Sequence, residues 1–177
     1  MYLSRVVLIA SVTAMLLAVP VPAQARAILV EDEAGDTIDP GLDMTRVNFK
    51  NGERAVVITV EFTRDRRGEV IIAMDGRRRG IGASIVSQHR RQGPDTTFLI
   101  TRDGDDAPCP RLSSHWDRPE ATLQLRMPAT CLGDGNYGAL RFWALIEGAP
   151  GSGSSDVDYA PETPSGGLTF TDWVPRG

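Results

Sequence analysis

Carboxylates crowd one stretch of this sequence. In VEDEAGDTIDPGLDM, residues 30 to 44, Asp32, Glu33, Asp36, Asp39 and Asp43 stand around Gly35 and Gly41. Calcium is held by roughly six to eight oxygen ligands, so an oxygen-rich loop of this kind has the chemistry of a structural calcium site. Asp36 and Asp43 are the first choices for its ligands. The spacing does not follow the EF-hand loop, and the plainer reading is a solvated acidic lead-in to a hairpin. Asp103, Asp105 and Asp106 in RDGDDAP, and Asp156 and Asp158 in SDVDY, offer the same chemistry in shorter runs.

Catalysis finds less to work with. The two histidines are His89 in SQHRRQG and His115 in SSHWDRP. Ser113, His115 and Asp117 are the types of a nucleophile relay, but neighbours in one strand or turn cannot converge as a relay requires. GSGSS at 151 to 155 lacks the G-x-S-x-G spacing of a nucleophile elbow, and GIGAS at 80 to 84 lacks the third glycine of a dinucleotide loop. No arrangement argues for an enzyme.

Binding is better served. Along ALRFWALIEG, Leu140, Phe142, Ala144 and Ile146 share one face of a strand, which leaves Arg141, Trp143 and Leu145 on the other. An indole displayed beside a guanidinium is a platform for a sugar ring, so Trp143 and Arg141 are the candidate ligand contacts, with Trp116 as a further aromatic. The competing reading folds the C-terminal segment, which carries Tyr159, Phe170 and Trp173, over Trp143. Arginine clusters at RDRRG (64–68), GRRRG (76–80) and HRRQG (89–93) read either as a basic patch for an anionic polymer or as charged turns guarding strand edges.

The elements that must position these groups are strands. Val56, Ile58, Val60 and Phe62 alternate with Val57, Thr59 and Glu61, and Leu123, Leu125 and Met127 alternate with Thr122, Gln124 and Arg126. Asn51-Gly52 between apolar runs predicts a hairpin with a type I′ turn, pairing 44–49 with 54–62. Further strands are expected at 69–74, 81–87, 96–101 and 139–147, separated by Gly, Pro and Asp turns. The fold class that follows is an all-β antiparallel two-sheet sandwich, immunoglobulin-like or jelly-roll. EGAPGSGSSDVDYAPETPSGG reads as a long loop over 148–167, and Leu168, Phe170 and Trp173 return as a last strand or dock on a sheet face.

The chain of 177 residues opens on MYLSRVVLIASVTAMLLAVPVPAQA. Arg5, the apolar run and the small-x-small Ala23-Gln24-Ala25 have the layout of a secretory signal, so residues 1–25 are expected to be removed and 26–177 to form one domain. The run is too short to span a bilayer. The remaining roughly 150 residues suffice for a single core. The formal net charge is −4, and loss of Arg5 makes it more negative, which gives no general attraction to nucleic acid or to a membrane. In an oxidising compartment Cys109 and Cys131 are expected to form one disulfide.

The N-terminal EDEAGDTIDPGLDMTRV, the late MPATCLG and the closing DYAPETPSGGLTFTDWVPRG resemble uncharacterised small secreted proteins of high-GC bacteria. More distantly, the D-x-x-G-D to L-D-hydrophobic opening is similar to that of DOMON-type and family-nine carbohydrate-binding β-sandwiches. That resemblance implies a sandwich and a ligand class of sugar or haem, and no methionine and histidine pair stands where haem ligation would need it. The expectation is therefore a secreted, extracellular, non-enzymatic binding or structural module without an organic cofactor, directed at a glycan or cell-wall polymer. A module that binds an extracellular protein, as an inhibitor or adhesion factor, is the alternative, and a hydrolase comes behind both.

Overall fold

The computed structural model describes residues 26–37, 41–90, 92–148 and 157–177. The expected leader, Asp39, Arg91, Asp156 and the 149–156 part of the expected loop lie outside them. The described strands are β1 (Arg26–Glu31), β2 (Met44–Asn51), β3 (Ala55–Phe62), β4 (Gly68–Gly76), β5 (Gly82–His89), β6 (Thr96–Thr101), β7 (Asp106–Ala107), β8 (Ser113–Asp117), β9 (Thr122–Pro128), β10 (Leu140–Glu147) and β11 (Val157–Ala160). They form two antiparallel sheets, ordered β1-β2-β3-β9-β8 and β11-β10-β4-β5-β6-β7. The expected all-β two-sheet sandwich is what the chain builds.

Period-two alternation decides the core. Val47, Phe49, Ile58, Val60, Leu123 and Leu125 of the first sheet face Val70, Ile72, Ile85, Phe142 and Ala144 of the second, all fully buried. Phe49 and Phe142 stack across the interface with ring centroids 4.4 Å apart. At one side of the sandwich the chain crosses from β7 to β8, and there Cys109 bonds Cys131, which lies in a 3₁₀ turn after β9.

The outer faces differ in kind. Across the first sheet, rows such as Asn48, Thr59, Gln124 and His115 are polar. Across the second, Tyr159, Leu145, Ile71, Val86 and Phe98 form one row, and Trp143, Ala73, Ser84 and Ile100 the next. Val86 and Ala73 are buried among their neighbours while Phe98 is exposed, and a contiguous apolar surface of this kind marks an interaction site.

Two expectations about local structure are corrected. The β2–β3 hairpin turns at Glu53-Arg54, two residues beyond the predicted Asn51-Gly52: Asn51 pairs with Val56 and the Gly52 amide donates to the Ala55 carbonyl. Neither Asn51 nor Gly52 has the positive φ of a type I′ turn. Tertiary bonding overrides the local preference. Asn51 is fully buried, its Nδ2 donates to the carbonyls of Val174 (2.9 Å) and Gly138 (3.2 Å), and its own carbonyl accepts from the Gly177 amide.

The second correction concerns 157–160, expected within a loop. It is strand β11, pairing with residues 144–147 of β10 and burying Asp158 and Ala160. The C-terminal segment then continues along the same edge: Val174 and Leu140 exchange both backbone bonds, and the Thr171 amide donates to the Phe142 carbonyl. So Phe170 and Trp173 dock on the sheet, as their apolar area requires, without forming a named strand.

Candidate functional site

A cleft of about 310 Å³ opens on the apolar outer face of the second sheet. Its floor is made of small residues from neighbouring strands, Ala73, Gly82 and Ser84, while Trp143 and Phe170 stand on one side and Ile100 and Arg102 on the other. The concavity follows from this choice of sizes. At Gly82 a Cβ would lie 3.2 Å from the Met74 carbonyl and 4.0 Å from Arg102 Cδ, so a side chain there would crowd the floor.

Arg141 is fixed at one end. Its Nε and Nη2 donate to Asp75 Oδ2 at 3.0 and 2.7 Å. Its guanidinium carbon lies 4.5 Å from the centroid of Phe170 and 4.9 Å from that of Trp173, where the ring faces attract a cation. Phe170 also meets Trp143 in a tilted contact at 6.4 Å. The C-terminal segment thus lies against Trp143 through Phe170 and supplies a wall of the cleft. Phe170 and Trp173 were visible in the sequence as aromatics needing burial; Asp75, Gly82 and Arg102 carried no signal, because only strand register brings them to this place.

Trp116 is elsewhere. Its ring is stacked between Phe62 (5.6 Å) and His89 (4.7 Å), and its Nε1 donates to Ser87 Oγ at 3.3 Å. That is a packing position on the flank of the core. His89 is itself buried, with Nδ1 2.9 Å from Asp95 Oδ1 and Nε2 3.1 Å from Asp65 Oδ1. Both ring nitrogens are taken by carboxylates, which leaves neither to activate a hydroxyl. His115 lies exposed on β8 opposite Gln124.

The arginine clusters do not form a single patch. Arg64, Arg66 and Arg67 follow β3 and Arg90 follows β5, at the end where Gly68 pairs with His89. Arg77, Arg78 and Arg79 cap the β4–β5 turn at the opposite end.

A second cluster gathers carboxylates from two distant segments. Asp32, Asp36 and Asp158 each offer an oxygen within 4.8 Å of the others, about the widest separation of two oxygens on one calcium ion. Asp32 continues the β1 ladder, its amide donating to the Thr45 carbonyl, and Asp158 sits in β11 with Oδ2 accepting from the Met44 amide at 2.7 Å. Asp32 Oδ2 is buried without a hydrogen-bond partner.

Burial pushes Asp32 up to about 8, helped by the charge of Asp158, the hydrogen bond between the two, and the charges of Asp36 and Glu162. Burial likewise raises Asp158 to about 6; the Met44 amide and the Asp32 bond oppose this, and the charges of Asp36 and Asp43 add to it. Asp36 is raised by burial and by Asp43 and Glu33, against one backbone hydrogen bond. Two carboxyls raised in this way hold a proton more readily than free ones. A divalent cation would compete with that proton, and three carboxylate oxygens this close, one of them unpartnered, fit such an ion.

Of the two residues first chosen from the sequence, Asp36 belongs to this cluster and Asp43 stands behind it. Asp43 accepts from the Gly35 amide with both oxygens, at 3.1 and 3.0 Å, and Gly35 takes the φ of +87° that closes the loop around it. The Asp43 carboxylate is thereby spent on shaping the loop.

Among the described residues no helix is long and apolar enough to cross a membrane. Comparison with known proteins finds no matching family model, no matching curated protein and no matching solved structure.

Proposed function

We propose that this chain is a secreted, non-enzymatic binding module that takes a glycan into the cleft beneath Trp143. The observation that carries the reading is the pairing, in one concavity, of aromatic walls with a guanidinium already fixed by Asp75, Phe170 and Trp173. A sugar ring presents apolar C–H faces and a fringe of hydroxyls. Trp143 and Phe170 suit the former, and the Arg141–Asp75 pair and Ser84 suit the latter. Because the polar groups are held in place beforehand, little ordering is needed on binding. The carbohydrate-binding sandwiches that the opening segment resembles point to the same ligand class.

The test is retention of the protein on a panel of insoluble polysaccharides and cell-wall polymers. The Trp143→Ala variant is expected to bind about tenfold or more weakly, the loss typical of truncating an aromatic anchor. Absence of retention on every polymer, or equal retention of wild type and variant, contradicts the reading.

For the carboxylate cluster we propose a structural cation, calcium being the ion whose ligand preference the oxygens match. The buried, unpartnered Asp32 Oδ2 favours it. A ion held by the folded chain alone raises stability by mass action, so millimolar calcium is expected to raise the melting temperature and a chelator to reverse the rise, most clearly at pH 8 where fewer protons compete. Superimposable melting curves with calcium and with chelator count against it.

A further inference from the structure

Each sheet ends in two edge strands, and three of the four are guarded. β7 has two residues, β11 has four and runs into Pro161, and β8 is a short strand whose exposed side chains, Ser113 and His115, are polar. Brevity, proline and polarity are the usual defences of an edge. β1 is charged only at its ends, Arg26 and Glu31, and its middle, AILV, has none of these defences. Its six residues, RAILVE, include no proline, glycine or lysine and no bulge against β2. At its centre Leu29 is 51% exposed, the most exposed large apolar side chain among the described residues.

We infer that two copies of this chain join through this edge, β1 against β1 in antiparallel register with Leu29 on the two-fold axis. Backbone geometry selects the register. The Asp32 amide bonds the Thr45 carbonyl directly opposite it, and hydrogen-bonded pairs alternate along an antiparallel ladder. Residues 26, 28 and 30 therefore turn their backbone groups to β2, while Ala27, Leu29 and Glu31 present theirs outward, free for a new strand.

A two-fold axis passes through one of those three or, at a non-hydrogen-bonded pair, through Ile28 or Val30; on Ile28 it would set Arg26 against Val30 and on Val30 it would set Ile28 against Asp32, each placing a charged side chain on an apolar one. On Glu31 it would set two like charges face to face, and on Ala27 it would engage half the strand. On Leu29 it pairs Leu29 with itself, Ile28 with Val30 on the core side, Ala27 with Glu31, and Arg26 with Asp32 of the second copy. The last pair sets a guanidinium beside the acidic cluster of Asp32, Asp36 and Asp158, whose Asp36 is exposed, and that charge complementarity favours a copy of this chain over an unrelated strand. The result is an isologous dimer with one sheet continuous across both copies.

Sedimentation equilibrium of the secreted protein at about 100 µM, where a micromolar dissociation constant gives mostly dimer, is expected to report twice the chain mass. Leu29→Pro deletes an outward amide and leaves the β1–β2 bonds in place; its dimer is expected to dissociate at least tenfold more readily, with unchanged near-ultraviolet circular dichroism. Cysteine scanning reads the register without relying on that variant folding. In L29C the two sulfurs meet across the axis, since Cα atoms of a hydrogen-bonded pair lie about 5.5 Å apart, within disulfide reach. In A27C the offset of four residues places them about 13 Å apart. L29C is expected to link into dimers on mild oxidation and A27C to remain unlinked. A monomeric wild type, an L29P dimer as tight as wild type, or equal linking of L29C and A27C overturns the inference.

Discussion

Replacing both bridge cysteines, C109S/C131S, is expected to remove roughly 3 kcal/mol of stability, about 10 °C in melting temperature for a domain of this size. The bridge closes a loop of sequence separation 22, and the unfolded chain gains the entropy of that opened loop when the link is cut. The loop contains all of β8 and β9, so the effect is not spread evenly. β9 is anchored between β3 and β8 by two ladders, whereas β8 is an edge whose only ladder is with β9, supplemented by side-chain bonds to Ser87 and Thr97. β8 should therefore loosen first, and Trp116, stacked between Phe62 and His89, reports on it. A red-shifted tryptophan emission on reduction, preceding global unfolding, is the expected signature. Unchanged melting after complete reduction would refute the argument.

Rising pH is expected to destabilise the fold between about pH 4 and pH 8 through the Asp32–Asp158 pair. Both groups have folded values above the ordinary 3.8, at about 8 and about 6, chiefly because both are buried; the charge of Asp158 adds to the rise of Asp32, and those of Asp36 and Asp43 to the rise of Asp158. A raised carboxyl means that the native state binds more protons than the unfolded chain in this window. Its contribution is fully present below the unfolded value and is lost as pH climbs through the folded one. Asp32→Asn keeps a donor for Asp158 and removes the second charge. The variant is expected to be more stable than wild type at pH 8.5, by on the order of 1 to 2 kcal/mol once solvent screening of a half-buried site is allowed for, and to match it near pH 4. Urea titrations of both proteins at the two pH values, in chelator, decide the matter; parallel curves at both would sink it.

Alternation or short apolar stretches between turn residues exposed most of the strands, and missed those whose inward positions are polar. β3, β4, β9 and β10 place apolar residues at every second position, so the wall they build could be read directly; β2, β5 and β6 keep shorter apolar stretches, broken inward by Asn51, by Ser87 and His89, and by Thr97 and Thr101. SSHWD of β8 and VDYA of β11 carry polar residues at inward or half-buried positions, and their pairing is set by the strands they meet. The hairpin turn was misplaced because its asparagine is recruited by the C-terminal segment, a contact 123 residues away in sequence.

The two candidate sites show the same limit. Trp143, Arg141 and Asp36 were legible as types. That Arg141 grips Asp75, and that Asp36 meets Asp158 across the width of the chain, are facts of register and crossover. Asp43, equally acidic in the sequence, is occupied by the Gly35 amide because its loop curls back on it.

Asn51 has a mechanical meaning as well. Its amide reaches from the last residue of a strand in one layer to the carbonyl of Val174, the same oxygen that accepts from Leu140 in the other layer. Greasy contact alone lets stacked layers slip past one another, since any register of methyl groups will do; a directional rivet of this sort admits a single offset, so a pull along the strands meets a stop at this end of the molecule before the interior can shear.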